Sequence, residues 1–220
     1  MNLNGIKANF LGDSITEGCG TTSQENVYHG VLKKNAHLAV VRNYGVGGTR
    51  IARQSEIKEP NPRDEDFIMR AQTMDLDADL IVVFGGTNDY GNGQAALGEI
   101  TDNTVFTFYG AVHFLCEDLK NKYPNAKIVF LTPMHRWNEC GGLGTWKPEG
   151  VVQHPLCDYV EAIKEACAMH EIPVLDLFND EDLPINDNDF RRECAPDGLH
   201  PNDAGHEIIA RKLQAFLETL

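Results

Sequence analysis

Ser14 lies in Gly12-Asp13-Ser14-Ile15-Thr16-Glu17-Gly18, directly after a short apolar run that ends at Leu11. A strand running into a glycine-flanked turn delivers that hydroxyl to a place where a ligand could meet it. Far along the chain, Asp197-Gly198-Leu199-His200-Pro201-Asn202 supplies a histidine with a carboxylate three residues before it. These residue types suit acyl transfer: a hydroxyl nucleophile, an imidazole that takes its proton, and a carboxylate that holds the imidazole in the useful tautomer. Negative charge developing on a carbonyl oxygen then needs hydrogen-bond donors. Gly48 has no side chain, so its N–H can approach a ligand closely, and Asn88 offers a side-chain amide. The Ser14 N–H, at the start of the helix or turn that follows, completes the set. The chemistry requires a fold that brings all of these positions together.

The elements that would do so are legible as alternating patterns. Nearly continuous apolar runs at Ile6 to Leu11, Leu38 to Val41, Leu80 to Phe84, Lys127 to Leu131 and Ile172 to Leu175 read as strands covered on both faces. Helical stripes separate them. Val105, Tyr109, Val112, Cys116 and Leu119 form one, and Ile209, Leu213, Phe216 and Leu220 another, with Pro201 in its first turn. Tyr28, Val31 and Leu32 mark a helix after the first strand, and Leu156, Val160, Ile163 and Cys167 one before the fifth. Strand and helix in alternation predict a parallel sheet with helices on both faces, and such sheets bind ligands beyond the carboxyl ends of their strands. The loops carrying Ser14, Gly48, Asn88 and the Asp197–His200 stretch all follow strands, as does the long segment 132–155 with Trp137 and Trp146. No linker, repeat or low-complexity tract divides the chain, so one domain over residues 1–220 is expected.

These blocks resemble those of the SGNH hydrolases, also called the GDSL esterase/lipase family. The resemblance rests on Gly12-Asp13-Ser14, the glycine loop after the second strand, Gly86-Thr87-Asn88-Asp89, and Asp197-Gly198-Leu199-His200-Pro201, in the family's order and over nearly the whole chain. It implies a flavodoxin-like three-layer α/β/α sandwich. It also implies the family's nucleophile at Ser14, oxyanion donors at Gly48 and Asn88, base at His200 and triad aspartate at Asp197. The choice of Gly48 over Gly47 follows the family spacing from Asn43. The first block reads Gly-Asp-Ser-Ile where the family name has leucine last, a change that leaves the chemistry untouched. A serine esterase working through an acyl-enzyme, with no metal or organic cofactor, is the implied activity. The family's substrates range from O-acetylated carbohydrates to lysophospholipids, thioesters and aryl esters.

Each residue also has a plainer reading. Ser14 or Thr16 could merely cap a helix. Asp13 reads first as a brace of its own loop, Asn88 as a turn residue and Asp89 as a loop brace, while Asp13, Trp137 and Trp146 are candidate substrate contacts. The histidines other than His200, among them His29 and His206, are expected at the surface. The competing classes are a phosphate binder and a non-catalytic carbohydrate binder on a flavodoxin-like sheet. The first is disfavoured because Gly45-Val46-Gly47-Gly48-Thr49 matches neither G-x-G-x-x-G nor a P-loop. The second is disfavoured by the intact serine, aspartate and histidine.

Composition bounds the partners. Of 220 residues, 42% are hydrophobic, enough for a sizeable core, and the net charge of -14 argues against nucleic acid and anionic membranes as partners. No apolar stretch approaches the roughly 18 residues of a membrane span. The six cysteines form no C-x-x-C pair and read as reduced thiols of a cytoplasmic protein. No apolar lid segment stands out, and the segment after the fourth strand is polar, glycine-rich and holds both tryptophans. The expected substrate is therefore a small ester with a short acyl group on a polar alcohol, such as an acetylated sugar.

Overall fold

The apolar runs become a five-stranded parallel sheet in the order β2-β1-β3-β4-β5. The strands are β1 (Lys7–Gly12), β2 (Val40–Gly45), β3 (Leu80–Phe84), β4 (Lys127–Leu131) and β5 (Val174–Leu175). The computed structural model describes residues 1–55, 64–137, 139 and 147–220. Its helices are α1 (Ser14–Glu17), α2 (Tyr28–Ala36), α3 (Phe67–Ala71), α4 (Thr87–Asn92), α5 (Phe108–Lys122), α6 (Leu156–Met169), α7 (Asn188–Cys194) and α8 (Asp203–Thr219), with a 3-10 turn at Gln24–Asn26.

Strand alternation divides the core into two layers. Leu11, Ile81, Val83, Ile128 and Phe130 face α3, α5 and α6. Ala8, Phe10, Leu80, Val82, Phe84, Val129 and Leu131 face α2 and α8. Burying both faces of β1, β3 and β4 explains why their sequences are continuously apolar. Each large aliphatic or aromatic side chain buried in these layers contributes about 1.5–3 kcal/mol. The result is the expected α/β/α sandwich.

The register aligns the strand ends. Gly12 of β1 pairs with Gly45 of β2 and Phe84 of β3; Phe84 pairs with Leu131 of β4, and Leu131 with Leu175 of β5. The loops after all five strands therefore leave from one edge.

Boundaries differ from expectation at several places. The second strand begins two residues later and runs to Gly45, because it is an edge strand whose residues are mostly half-buried, so Arg42 and Asn43 fit it without an apolar pattern. The fifth is only Val174–Leu175; Ile172 still belongs to the turn that closes α6, where its N–H donates to Cys167 O. Val105 precedes α5. Pro201 lies outside α8, whose cap is Asn202, with Oδ1 accepting from the Ala204 and Gly205 N–H groups. The buried stripe of α8 ends on Leu217, while Leu220 is exposed.

Candidate active site

The nucleophile candidate sits at the first position of a four-residue helix. Asp13 caps it, its Oδ1 accepting from the Ile15 N–H at 3.0 Å, and Gly18 closes it in the left-handed region with its N–H donating to Ser14 O. Asp13 is thus the brace expected of it, and neither Ser14 nor Thr16 is the cap. The backbone beside α1 is crowded, since a Cβ on Gly45 would collide with the Thr16 and Glu17 main chain. Glycine there lets β2 end against the helix that carries Ser14.

The loop before α8 reaches across to it. His200 Nε2 lies 2.9 Å from Ser14 Oγ, and His200 Nδ1 lies 2.6 Å from Asp197 Oδ2. The other carboxylate oxygen accepts from the Leu199 N–H at 2.9 Å and the His200 N–H at 2.7 Å. Burial raises the Asp197 carboxyl, but the hydrogen bonds from His200 and Leu199 outweigh it, and the group ends below its ordinary value. An ionised carboxylate only accepts, so His200 carries its proton on Nδ1 and presents Nε2 as the acceptor for the Ser14 hydroxyl.

Two further loops converge on the same edge. Gly48 takes φ +78°, a conformation that favours glycine. Asn88, in the first turn of α4 and buried, donates one amide N–H to Thr49 O at 3.1 Å, which fixes it against the glycine loop. Asp89 braces that loop as expected: Oδ2 accepts from the Ile51 N–H and Oδ1 from the Ala52 N–H, each at 2.9 Å. Among the described residues, neither the Ser14 N–H nor the Gly48 N–H is engaged. Trp137 is 52% exposed beside the histidine loop, its N–H donating to Gly198 O at 2.8 Å and the Arg191 guanidinium stacked 4.8 Å from its ring centroid. Trp146 lies outside the described residues. No group of three or more His, Cys, Asp or Glu side chains among the described residues could hold a metal ion.

Beneath the site lies a residue that the sequence did not mark. Arg70 of α3 is buried, with Nη1 donating to Tyr44 O at 2.5 Å and Nη2 to Gly12 O at 2.9 Å and Thr49 Oγ1 at 2.8 Å. One guanidinium therefore ties together the ends of β1 and β2 and the glycine loop. Burial lowers its pKa to about 10, against the opposing pull of Asp13, Glu65, Asp66 and Glu17. The available signal was an arginine inside the apolar stretch Phe67-Ile68-Met69-Arg70-Ala71.

His29 and His206 are buried, not superficial. His29 packs against Phe10 of β1 and His206 against Tyr28 of α2; the Tyr28 N–H donates to His206 Nδ1 at 3.1 Å and His29 Nε2 meets Thr16 O at 3.1 Å. Burial pushes His29 down to about 4 and His206 to about 3, so both are neutral at pH 7.

Burial also raises Asp13 to about 6, although the Ile15 N–H and the charges of His200 and Arg70 favour its ionised form. Between about pH 4 and 6 the folded chain then keeps a proton that the unfolded chain has released. Stability from this group is present below pH 4 and falls as pH rises through 6; the gap corresponds to roughly 3 kcal/mol. Asp89 behaves in the same direction. D13N, which keeps an acceptor for the Ile15 N–H, is expected to gain stability relative to wild type as pH rises from 4 to 7. Urea unfolding at intervals across that range checks this; a constant difference would mean that Asp13 stays ionised throughout.

A family model for the GDSL-like lipase/acylhydrolase family matches residues 10–208. Among solved structures, a Lactobacillus plantarum protein is 33% identical, with a TM-score of 0.83 and coverage of 98% of each chain. A lipase/acylhydrolase from Enterococcus faecalis is 21% identical, with a TM-score of 0.65 over 94% of this chain and 93% of that one. A two-domain esterase active on acetylated mannans is 18% identical, with a TM-score of 0.62, covering 98% of this chain and 49% of that one. Among curated proteins no relative matches by sequence. The chain belongs to the GDSL-like lipase/acylhydrolase family and is a carboxylic ester hydrolase.

Proposed function

We propose that the protein is a serine esterase that works through an acyl-enzyme on Ser14. The observation that carries this reading is the continuous chain from Ser14 Oγ to His200 Nε2 at 2.9 Å and from His200 Nδ1 to Asp197 Oδ2 at 2.6 Å. As Oγ bonds to the ester carbonyl carbon, its proton passes to Nε2. Asp197 stabilises the imidazolium that forms. The negative oxygen is held by the N–H groups of Ser14 and Gly48 and the remaining amide N–H of Asn88. His200 then returns the proton to the leaving alkoxide as the C–O bond breaks. Water, deprotonated by the same nitrogen, releases the acid and restores Ser14.

The preferred substrate is a short acyl group, acetyl foremost, on a polar alcohol such as a sugar. The elements that carry the site are polar: Glu17 on the serine's own helix, Asn88 on α4, Asp197 against His200, and half-buried Arg136, whose Nη1 donates to Thr87 O of α4 at 3.2 Å. The half-exposed Trp137 ring beside the histidine loop is suited to stacking on a sugar face. The activity on acetylated mannans stated for the two-domain esterase is compatible with this choice, but at 18% identity that protein shares the fold alone. Lysophospholipids and thioesters are the competing substrates. A p-nitrophenyl ester series from C2 to C12 is expected to give the highest kcat/KM at C2 to C4. A maximum at C8 or beyond would overturn the short-acyl preference.

The free thiols at Cys19, Cys116, Cys157, Cys167 and Cys194 favour a reducing, cytoplasmic setting. No helix among the described residues is long and apolar enough to cross a membrane.

A further inference from the structure

Of the two adjacent glycine N–H groups after β2, one is already taken. The Gly47 N–H donates to Glu17 Oε2 at 2.8 Å. Glu17 ends α1, three residues after Ser14, so this bond joins the nucleophile's own helix to the glycine loop. A relay of amides closes a circuit around it. Glu17 O accepts from Gln24 Nε2 at 2.7 Å, Gln24 Oε1 from Asn43 Nδ2 at 2.9 Å, and Asn43 Oδ1 from the Gly45 N–H at 2.8 Å. The Glu17 N–H in turn donates to Asp13 O at 2.8 Å. Glu17 is solvent-exposed, so its contribution to folding is small, while its two links meet at the serine and at the loop that must cradle the oxyanion.

We propose that Glu17 is a positioning residue: by occupying the Gly47 N–H it leaves the Gly48 N–H as the donor that faces the substrate, and it fixes that donor relative to Ser14. This rests on reading Ser14 as the nucleophile and Gly48 as an oxyanion donor. The physical need is preorganisation, since a donor displaced by about 1 Å can cost on the order of 10²-fold in rate. A contact that matters only when charge develops on the carbonyl oxygen should move kcat and leave KM largely alone.

The test compares S14A, E17A, E17Q and E17D on p-nitrophenyl acetate, with thermal unfolding of each. E17A is expected to lower kcat by about 10- to 100-fold with KM within about threefold of wild type. E17Q keeps an acceptor oxygen for the Gly47 N–H and is expected to stay within about threefold of wild type. E17D keeps the charge but withdraws it by one methylene, so it should share the loss, and it carries the test if E17A does not fold. A second arm uses G47A, whose Cβ would lie 2.7 Å from Glu17 Oε2. If the two residues act through one bond, the losses in kcat for E17A and G47A are less than additive in the double variant. Wild-type kcat in the folded E17A or E17D variants, an E17Q loss equal to that of E17A, or additive losses would each overturn the proposal. S14A separates the two levels: activity surviving there removes the nucleophile reading itself, whereas an inert S14A beside a fully active E17A removes only the role of Glu17.

Discussion

S14A is expected to lower kcat on p-nitrophenyl acetate by on the order of 10⁴–10⁶-fold while leaving the fold intact. The size follows from how the groups depend on one another. In the proposed mechanism Ser14 Oγ forms the covalent bond, while His200 and Asp197 only prepare it and stabilise the proton it gives up. Once the oxygen is removed, the imidazole 2.9 Å away has no nucleophile to activate, and only the oxyanion donors and substrate binding remain. The helix that holds residue 14 is capped by the Asp13 side chain and closed by Gly18, neither of which uses the serine hydroxyl. The melting temperature should therefore change by no more than a few degrees. Esterase activity within tenfold of wild type in a folded S14A would place the nucleophile elsewhere.

The largest expected stability effect comes from Arg70. R70M keeps much of the side chain's apolar stem but removes the guanidinium, with every donor it carries and its contact 4.7 Å from the Phe67 ring centroid. Tyr44 O loses its guanidinium donor, whereas Gly12 O retains the Val46 N–H at 3.1 Å. The Arg70 bonds to Gly12 O and Thr49 Oγ1 are buried and that to Tyr44 O is partly so. A hydrogen bond to a charged group contributes about 1.5–3 kcal/mol, and with Gly12 O keeping a donor the total loss should reach roughly 2–4 kcal/mol. For a chain of this length that corresponds to a drop in Tm of about 5–15 °C. Activity should fall as well, because the guanidinium no longer joins the ends of β1 and β2 to Thr49 of the glycine loop. Losing the nearby positive charge also pushes the Asp13 carboxyl further up. R70K, a point charge on a flexible stem, cannot reproduce the forked bonding and should fall between the two. Thermal unfolding measures this; a Tm for R70M within 2 °C of wild type would contradict the bracing role.

What the sequence revealed of this molecule, and what it hid, divides along physical lines. β3 and β4 are read to the residue because both faces are buried and nothing else explains five apolar residues in a row in β3 and four after Lys127 in β4. β2 is displaced because an edge strand may carry Arg42 and Asn43 without penalty. Ser14, His200, Asp197, Gly48 and Asn88 stand out because the acyl transfer proposed for them demands particular residue types beside particular turns, and the fold brings Ser14 and His200, 186 positions apart in the chain, to 2.9 Å. The supports are silent. Arg70 and Glu17 look like ordinary helix residues, since their partners are main-chain groups and, for Arg70, the Thr49 hydroxyl, on loops distant in sequence. His29 and His206 were misplaced for a related reason: an isolated histidine on an amphipathic helix gives no sign of whether it faces water or a neighbouring ring such as Tyr28, 5.9 Å from His206. Of the two tryptophans after β4, Trp137 is held beside the histidine loop, and Trp146 falls outside the described residues.

The most direct test of the central claim is covalent labelling with a fluorophosphonate, followed by peptide mass spectrometry and an esterase assay on the same sample. A serine activated by His200 attacks phosphorus, expels fluoride and yields a stable adduct. The expected result is one phosphonyl group per chain, on the peptide containing Ser14, appearing in step with loss of esterase activity and absent in S14A. Complete inactivation with the label on any other residue, or a fully active enzyme carrying the label on Ser14, would contradict the account.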